Sequence, residues 1–329
     1  MYPTIQNLRD KKFDISFPDH AYDSETTLII LEPDTINILF ELAEKLEGKG
    51  HKEGQAGGLI FRGQNHQYYW DPISGEPKWF ITSALERNFP TETEQKKEEM
   101  NLIKSSIKFT YYTQRMAKHQ HLHSGTRLVD FSTSMFIGLW FSALDYEASR
   151  KVHKTIPLKH KDYSSVWILG TFRLVMDYTK SHRIKFISDE NLGEPLPEPT
   201  PLELAEILFE ISRQKLKNRT QMLGYFTSMN LEDARKDIPR MIAQQGWLVF
   251  SPLFGVPFMD AMMNCNDSIR KIKTKEIIKT AKITVPKDFE ILQFRDNEHY
   301  VINYPASWNE EIIERLETRG ITWKNLMDV

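Results

Sequence analysis

The sequence contains a single cysteine, Cys265, in 329 residues. An internal disulfide and a thiolate metal cluster are therefore excluded, as is typical of proteins from a reducing compartment. No stretch reaches the length of a membrane-spanning helix, and residues 1–17 contain no uninterrupted apolar run of the kind found in signal peptides. The sequence therefore predicts a soluble, cytoplasmic protein without a membrane partner.

A strong net charge is also missing, because 43 Lys and Arg stand against 45 Asp and Glu, which gives −2. Any attraction to nucleic acid must then come from a local patch and not from the whole chain. The short motifs of P-loop enzymes, Rossmann dehydrogenases, zincins and lipases do not occur in the sequence. These enzyme classes are excluded.

Material for a hydrophobic core is plentiful, since 40% of the residues are hydrophobic and 12% aromatic. Apolar residues recur at helical spacing in segment 35–43, and a polar cap precedes an apolar helix over 135–148. Short apolar runs predict strands at 57–63, 126–131, 165–175 and 246–250. Helices and strands interleave without a βαβ rhythm, so the predicted class is α+β.

The predicted organisation is an N-terminal arm and helix over 1–55, followed by a larger domain over 56–329. Within that domain the proline-rich segment 193–201 is typical of an extended surface connector. Two lysine-rich runs, at 150–161 and 271–282, suit either solvated loops or a grip on a phosphate backbone. Both interpretations of the lysine runs stay open.

The first candidate cluster is Phe61-Arg62-Gly63, at the end of a predicted strand. An arginine fork can hold a phosphate or a carboxylate through two hydrogen bonds, and a following glycine lets a ligand approach the backbone. The structural alternative is an arginine paired with a buried carboxylate.

The second cluster lies between residues 120 and 134. His121 can titrate near neutral pH, and Arg127 and Asp130 lie on one short predicted strand. Hydroxyl side chains then come at a helix start, where anions bind readily; these are Ser132, Thr133 and Ser134. An ordinary helix cap together with an Arg–Asp pair is the structural alternative.

Three histidines, His119, His121 and His123, are spaced by two residues and would share one face of a strand. No carboxylate or cysteine nearby completes a ligand set, so no metal is expected. The third cluster places Gln244 just before the strand at 246–250. Its amide can hydrogen-bond a sugar hydroxyl or a base edge but cannot act as a base.

Taken together, these clusters resemble the FRG-domain family, whose opening motif stands here as Phe61-Arg62-Gly63. Its further motifs follow in the family's order, at 83–87, at 120–121 with 126–131, at Arg240 with 244–246, and at 320–326. The resemblance spans residues 57–329. The chain departs from the family pattern in the loop at His123 and Gly125, and in Phe131, which stands where the family has tryptophan.

The order of these motifs is similar, in turn, to that of ADP-ribosyltransferases. This resemblance implies an α+β fold of split mixed or antiparallel sheets with flanking helices, and NAD as the substrate. Arg62 with Gly63 would then seat a ribose or a phosphate, and Thr126 and Arg127 would lie beside the ligand. The hydroxyls of the second cluster would brace the nicotinamide half; they belong to Ser132, Thr133 and Ser134.

The same resemblance implies roles in catalysis. Gln244 would take the place of the usual acid and hold a ribose hydroxyl. Because an amide accepts no proton, His121 or Asp130 would serve as the base. No metal is implied.

The resemblance further implies a toxin or effector of bacterial anti-phage or toxin–antitoxin defence, restrained by a neutralising partner protein. Nucleic acid, RNA or DNA, is preferred to protein as the acceptor, because the lysine runs would guide it. Two alternatives stay open. One is a non-catalytic module that binds nucleotide or nucleic acid with Arg62 and Arg127 as clamps, and the other is a NAD glycohydrolase with water as acceptor.

Overall fold

The computed structural model describes residues 13–16, 28–50, 52, 58–65, 69–70, 77–78, 81–105, 116–117, 119–120, 125–144, 163–171, 185–188, 224–227, 238–250, 258, 282–284, 294 and 299–328. His121, the proline-rich segment 193–201 and the lysine run 150–161 lie outside these residues, as does the second run except for its last residue. No helix in the described ranges is long and apolar enough to cross a membrane.

The described strands are β1 (Phe13–Ser16), β2 (Leu28–Glu32), β3 (Leu59–Gln64), β4 (Tyr69–Trp70), β5 (Pro77–Lys78), β6 (Leu128–Ser132), β7 (Tyr163–Gly170), β8 (Lys185–Ser188), β9 (Gly224–Thr227), β10 (Gly246–Phe250), β11 (Lys282–Thr284) and β12 (His299–Pro305). The helices are α1 (Ile36–Glu47), α2 (Ala84–Asn88), α3 (Glu92–Ser105), α4 (Met135–Ala143), α5 (Pro239–Ala243), α6 (Asn309–Glu317) and α7 (Trp323–Met327). A 3-10 turn, Ala306–Trp308, joins β12 to α6.

One eight-stranded sheet organises the fold, in the order β11-β2-β12-β7-β3-β6-β10-β9. β2 runs parallel to both of its neighbours, whereas all other neighbouring strands are antiparallel, so the sheet is mixed. β3 and β6 are joined through a single residue pair, Phe61 opposite Ser132. This joint divides the sheet into a five-stranded and a three-stranded part.

Helix α4 lies at the centre of the hydrophobic core. All of its residues except Phe141 are buried, and it packs against β3, β7, α1 and α6. Its high apolar content follows from this position, because a helix surrounded on all sides has no polar face. Strand side chains reach the same core from one face of the sheet, as Phe61, Ile168 and Ile302 do.

The α+β class, the mixed sheet and the flanking helices are confirmed. So are the helix that begins after Thr35, whose side chain caps it, and the strand at 246–250. The finer likeness to an ADP-ribosyltransferase fold stays a prediction. The boundary between 1–55 and 56–329 stays one too, although β2 lies inside the sheet and α1 contributes to its core.

Candidate functional site

Arg62 and Asp130 meet at the joint between the two parts of the sheet. Arg62 Nη1, at the end of β3, donates to the backbone carbonyl of Asp130 on β6 at 2.6 Å. Gln120 Nε2 donates to Asp130 Oδ2 at 2.7 Å, and the Thr126 hydroxyl donates to Gln120 Oε1. We refer to these four residues as the Arg62–Asp130 centre.

Two polar atoms of this centre have no partner among the described residues. Arg62 Nε and Asp130 Oδ1 are buried, and neither forms a hydrogen bond within the part of the chain that the structure describes. An unpaired buried donor or acceptor costs about 1–3 kcal/mol, so such atoms mark a place for a water or a ligand group. A hydroxyl has the chemistry that each atom lacks, since it can accept from a donor such as Arg62 Nε and donate to an acceptor such as Asp130 Oδ1.

Burial also shapes the charge of Arg62. Desolvation lowers its pKa to about 10, more than the neighbouring Asp130 raises it, and the positive charge of Arg87 lowers it further. The guanidinium nevertheless stays protonated at neutral pH. The centre therefore offers a cation and a carboxylate side by side in a poorly solvated setting, where charges act strongly on a bound group.

Arg127 takes a different position from the one that its motif implies for a ligand contact. Its Nε and Nη2 donate to Glu99 Oε1 on α3 at 3.0 and 2.8 Å. Both side chains are buried, with 6% and 2% of their surface exposed. Desolvation lowers the pKa of Arg127 more than Glu99 raises it. Arg127 thus ties α3 to the start of β6, and its ion-pair partner here is Glu99 and not Asp130.

The hydroxyls of Ser132, Thr133 and Ser134 are engaged with other parts of the chain. Ser132 Oγ donates to the Gln244 carbonyl at 2.8 Å, and Thr133 Oγ1 donates to the Gln245 side chain at 3.2 Å. Ser134 Oγ accepts from the backbone N–H of residue 137 and caps α4. These contacts attach α4 to the turn before β10.

The start of α4 already holds an anion, the carboxylate of Glu47 at the end of α1. Glu47 Oε1 accepts from Ser134 Oγ at 2.8 Å, and Glu47 Oε2 accepts from the Phe136 backbone N–H at 3.1 Å. A carboxylate here satisfies free N–H groups and interacts favourably with the helix dipole. It would repel a phosphate, so the helix start is a poor place for a pyrophosphate.

Gly63 permits a close approach, but the approaching group is α4. A Cβ at residue 63 would lie 2.1 Å from the Gly138 carbonyl oxygen and 2.3 Å from the Ser142 backbone nitrogen. Gly138 in turn faces Phe61, whose Cβ would lie 2.9 Å from an added Cβ. The two glycines let β3 and α4 cross at short distance, and this contact gives no support to a ligand at residue 63.

Gln244 is buried beside the C-terminal helix α7. Its Nε2 donates to the Leu326 carbonyl at 3.2 Å and lies 3.2 Å from Met327 Sδ. The next residue, Gln245, has a left-handed backbone with φ of 49°, which turns the chain into β10. The structure describes no contact between Gln244 and the Arg62–Asp130 centre.

The described residues include no group of three or more His, Cys, Asp or Glu side chains able to hold a metal. His121 and His123 lie outside the described residues. The expected absence of a metal therefore stays a prediction, as does the role of His121 as a base.

Sequence reasoning missed several partners that shape the site. Glu47 and Glu99 are carboxylates on α1 and α3, and no local pattern marks them as partners of residues far along the chain. Glu86 did carry a signal, because Ser83-x-x-Glu86 is a capping box, which the structure forms at the start of α2. Glu86 also accepts from the Phe258 backbone N–H at 2.5 Å.

Residues 57–151 match the family model of the FRG domain. The matched segment contains β3, α2, α3, β6 and α4, and therefore all four residues of the Arg62–Asp130 centre. No curated protein and no solved structure matches the chain.

Proposed function

The chain carries an FRG domain over residues 57–151, and from this premise we propose that the Arg62–Asp130 centre binds a ribose of NAD for the transfer of ADP-ribose to a macromolecule. The observation that supports this most directly is the pair of unpartnered atoms, Arg62 Nε and Asp130 Oδ1. A ribose carries hydroxyls that can accept from Arg62 Nε and donate to Asp130 Oδ1, whereas a phosphate oxygen would leave the carboxylate unpaired and repelled.

The remaining chemistry follows from the charges of the two side chains. NAD supplies an activated ADP-ribosyl group, and its nicotinamide leaves with the electron pair of the broken carbon–nitrogen bond. The Asp130 carboxylate stabilises the positive charge that develops on the sugar, and it can then take the proton that the acceptor loses. Gln120 holds that carboxylate through Oδ2, which leaves Oδ1 for this work.

We propose fewer residues in contact with NAD than the sequence resemblance implies. The hydroxyls of Ser132, Thr133 and Ser134 and the amide of Gln244 have protein partners, which supports a role in holding α4, β10 and α7. Thr126 acts one step away, because it orients Gln120. We therefore propose that Asp130, and not Gln244, is the side chain closest to the bond that is broken.

The acceptor and the cellular setting belong to the same proposal. We take nucleic acid, RNA or DNA, as the preferred acceptor and protein as the second choice. An enzyme that modifies macromolecules of its own cell needs restraint, so the proposal includes a neutralising partner protein, a role in anti-phage or toxin–antitoxin defence, and action in the cytoplasm.

The test incubates purified protein with NAD that carries a label on its adenylate phosphate, together with separate pools of RNA, single-stranded DNA and lysate protein. The variants are Arg62→Met and Asp130→Asn, with the exposed Asp34→Asn as the matched control. Asp130→Asn keeps the backbone carbonyl that receives Arg62, so the variant should fold.

We expect label in one pool with wild type and with the control, and none with either site variant. Free ADP-ribose without a labelled pool would favour a glycohydrolase. Intact NAD in every tube would refute the enzymatic proposal. Binding of the protein to one pool would then favour the non-catalytic module that binds nucleotide or nucleic acid.

A further inference from the structure

Asn303, in the middle of β12, has a buried side-chain amide that forms no hydrogen bond with the described part of the chain. The residue is 1% exposed, and neither its Nδ2 nor its Oδ1 has a partner among the described residues. Such a residue lowers the stability of the free protein, because both polar groups lose water and gain nothing in return. An apolar side chain of similar size would be the ordinary occupant of this position.

The strand register places Asn303 on the same face of the sheet as Arg62. Asn303 lies opposite Ser165 of β7, and Ser165 lies opposite Gln64 of β3. Directly opposite residues of antiparallel strands share a face, and so do residues two apart on one strand, such as Arg62 and Gln64. The hydrogen bond from Trp167 Nε1 to Gln64 Oε1, 3.0 Å long, agrees with this arrangement.

The spacing between the two residues sets the size of a ligand that touches both. Two strand spacings and a step of two residues separate them, which amounts to about 12 Å between Cα atoms. A single ribose is too short for that span, whereas a dinucleotide is long enough. Arg62 Nε and the amide of Asn303, which have no partner among the described residues, therefore lie on one sheet surface at a distance that such a ligand can bridge.

We infer that Asn303 forms a second binding subsite, which accepts a planar group of the ligand that presents a donor and an acceptor side by side. An amide side chain pairs with such an edge through two hydrogen bonds. NAD carries this chemistry at both ends, in the carboxamide of nicotinamide and in the edge of adenine. The inference rests on the proposed function, because it takes the ribose at Arg62 as the fixed point.

The test uses Asn303→Leu in the full chain, because leucine matches asparagine closely in size and removes both polar atoms. Calorimetry measures its affinity for two probes: ADP-ribose, which has adenine but no nicotinamide, and nicotinamide mononucleotide, which has the reverse. The matched control is Asn309→Leu, whose amide is already paired with Ser164 Oγ at 3.2 Å. Arg62→Met reports on the ribose site in the same series.

We expect Asn303→Leu to weaken one of the two probes by about 10- to 100-fold, the loss of one or two hydrogen bonds, and to leave the other unchanged. The weakened probe then names the end of the dinucleotide that Asn303 binds. The same substitution should raise the Tm of the free protein by a few degrees, because an unpaired amide is removed. Asn309→Leu should change neither affinity and should not raise the Tm.

Two results would overturn the inference alone. In the first, Asn303→Leu binds both probes with wild-type affinity while Arg62→Met loses binding. In the second, Asn303→Leu has a lowered Tm, and its affinity for both probes falls to the same extent. If wild type binds neither probe, the proposed function and this inference fail together.

Discussion

The buried ion pair between Arg127 and Glu99 leads to a quantitative prediction about stability. Arg127→Met removes the cation that pairs with the buried Glu99 carboxylate, and Glu99→Leu removes the carboxylate that pairs with the buried guanidinium. Each single substitution should lower the free energy of unfolding by about 3–5 kcal/mol. With the paired atoms at 2.8 and 3.0 Å and both side chains almost fully buried, we expect values in that range and not the smaller effect of a surface pair.

The double variant should be more stable than either single variant. The attraction within a buried ion pair is largely offset by the cost of removing both charges from water. Replacing both charges removes that cost together with the attraction. The double variant should therefore lose about 1 kcal/mol or less, which is far below the sum of the two singles.

Urea denaturation followed by circular dichroism measures all four proteins, and calorimetry with ADP-ribose adds a functional readout. We expect the double variant to bind ADP-ribose as wild type does, since we propose no ligand contact for Arg127, which pairs with Glu99. Additive losses in the double variant would refute the ion-pair reasoning. Normal stability with lost binding would instead make Arg127 a ligand clamp.

Three further substitutions test local contacts. Gly63→Ala should lower the free energy of unfolding by about 3 kcal/mol in a urea melt, because its Cβ would meet the backbone of α4. The control Gly48→Ala, with φ of −68° and open space around it, should be neutral or raise that free energy by about 0.5 kcal/mol. Equal effects of the two substitutions would contradict the close crossing of β3 and α4. Burial raises the pKa of Glu86 above 4.5, so stability falls as pH rises through the raised pKa. The stability advantage of wild type over Glu86→Gln should therefore shrink above pH 4.5 in melts across pH, and an advantage that grows would contradict this sign. Glu47→Gln should lower the free energy of unfolding by about 1 kcal/mol at low salt and by less at high salt. A loss that does not change with salt concentration would argue against the charge–dipole contact at α4.

The sequence was informative where structure is local. Ser134 was placed in a cap before an apolar helix, and its side chain caps α4. Segment 35–43 was predicted to be helical, and α1 begins one residue later, with Thr35 as its cap. Strand β12 was missed although its residues are strongly apolar and β-branched or aromatic, because the segment His299–Pro305 follows a long stretch without clear periodicity. β2 was missed for a similar reason, since it follows directly on a polar arm.

Long-range partners were beyond the reach of sequence reasoning. Glu47 meets Ser134 across 87 residues, and Arg62 meets Asp130 across 68. The Ser132–Ser134 hydroxyls have the composition of an anion site, yet an internal carboxylate occupies that helix start. Composition cannot distinguish the two cases, because the same donors serve a protein carboxylate and a ligand phosphate equally well. The motif order did identify Arg62 and Asp130, which the fold brings together.

We propose that Arg62 and Asp130 hold a ribose whose bond to nicotinamide is broken. The most direct test of this proposal is the rate of nicotinamide release from NAD by wild type and by Asp130→Asn, with melting curves to show that both are folded. We expect release by wild type and a loss of about 10²- to 10³-fold in the variant at unchanged Tm, as is typical when one charge-stabilising group is removed. Equal rates, or no release by folded wild type, would contradict it.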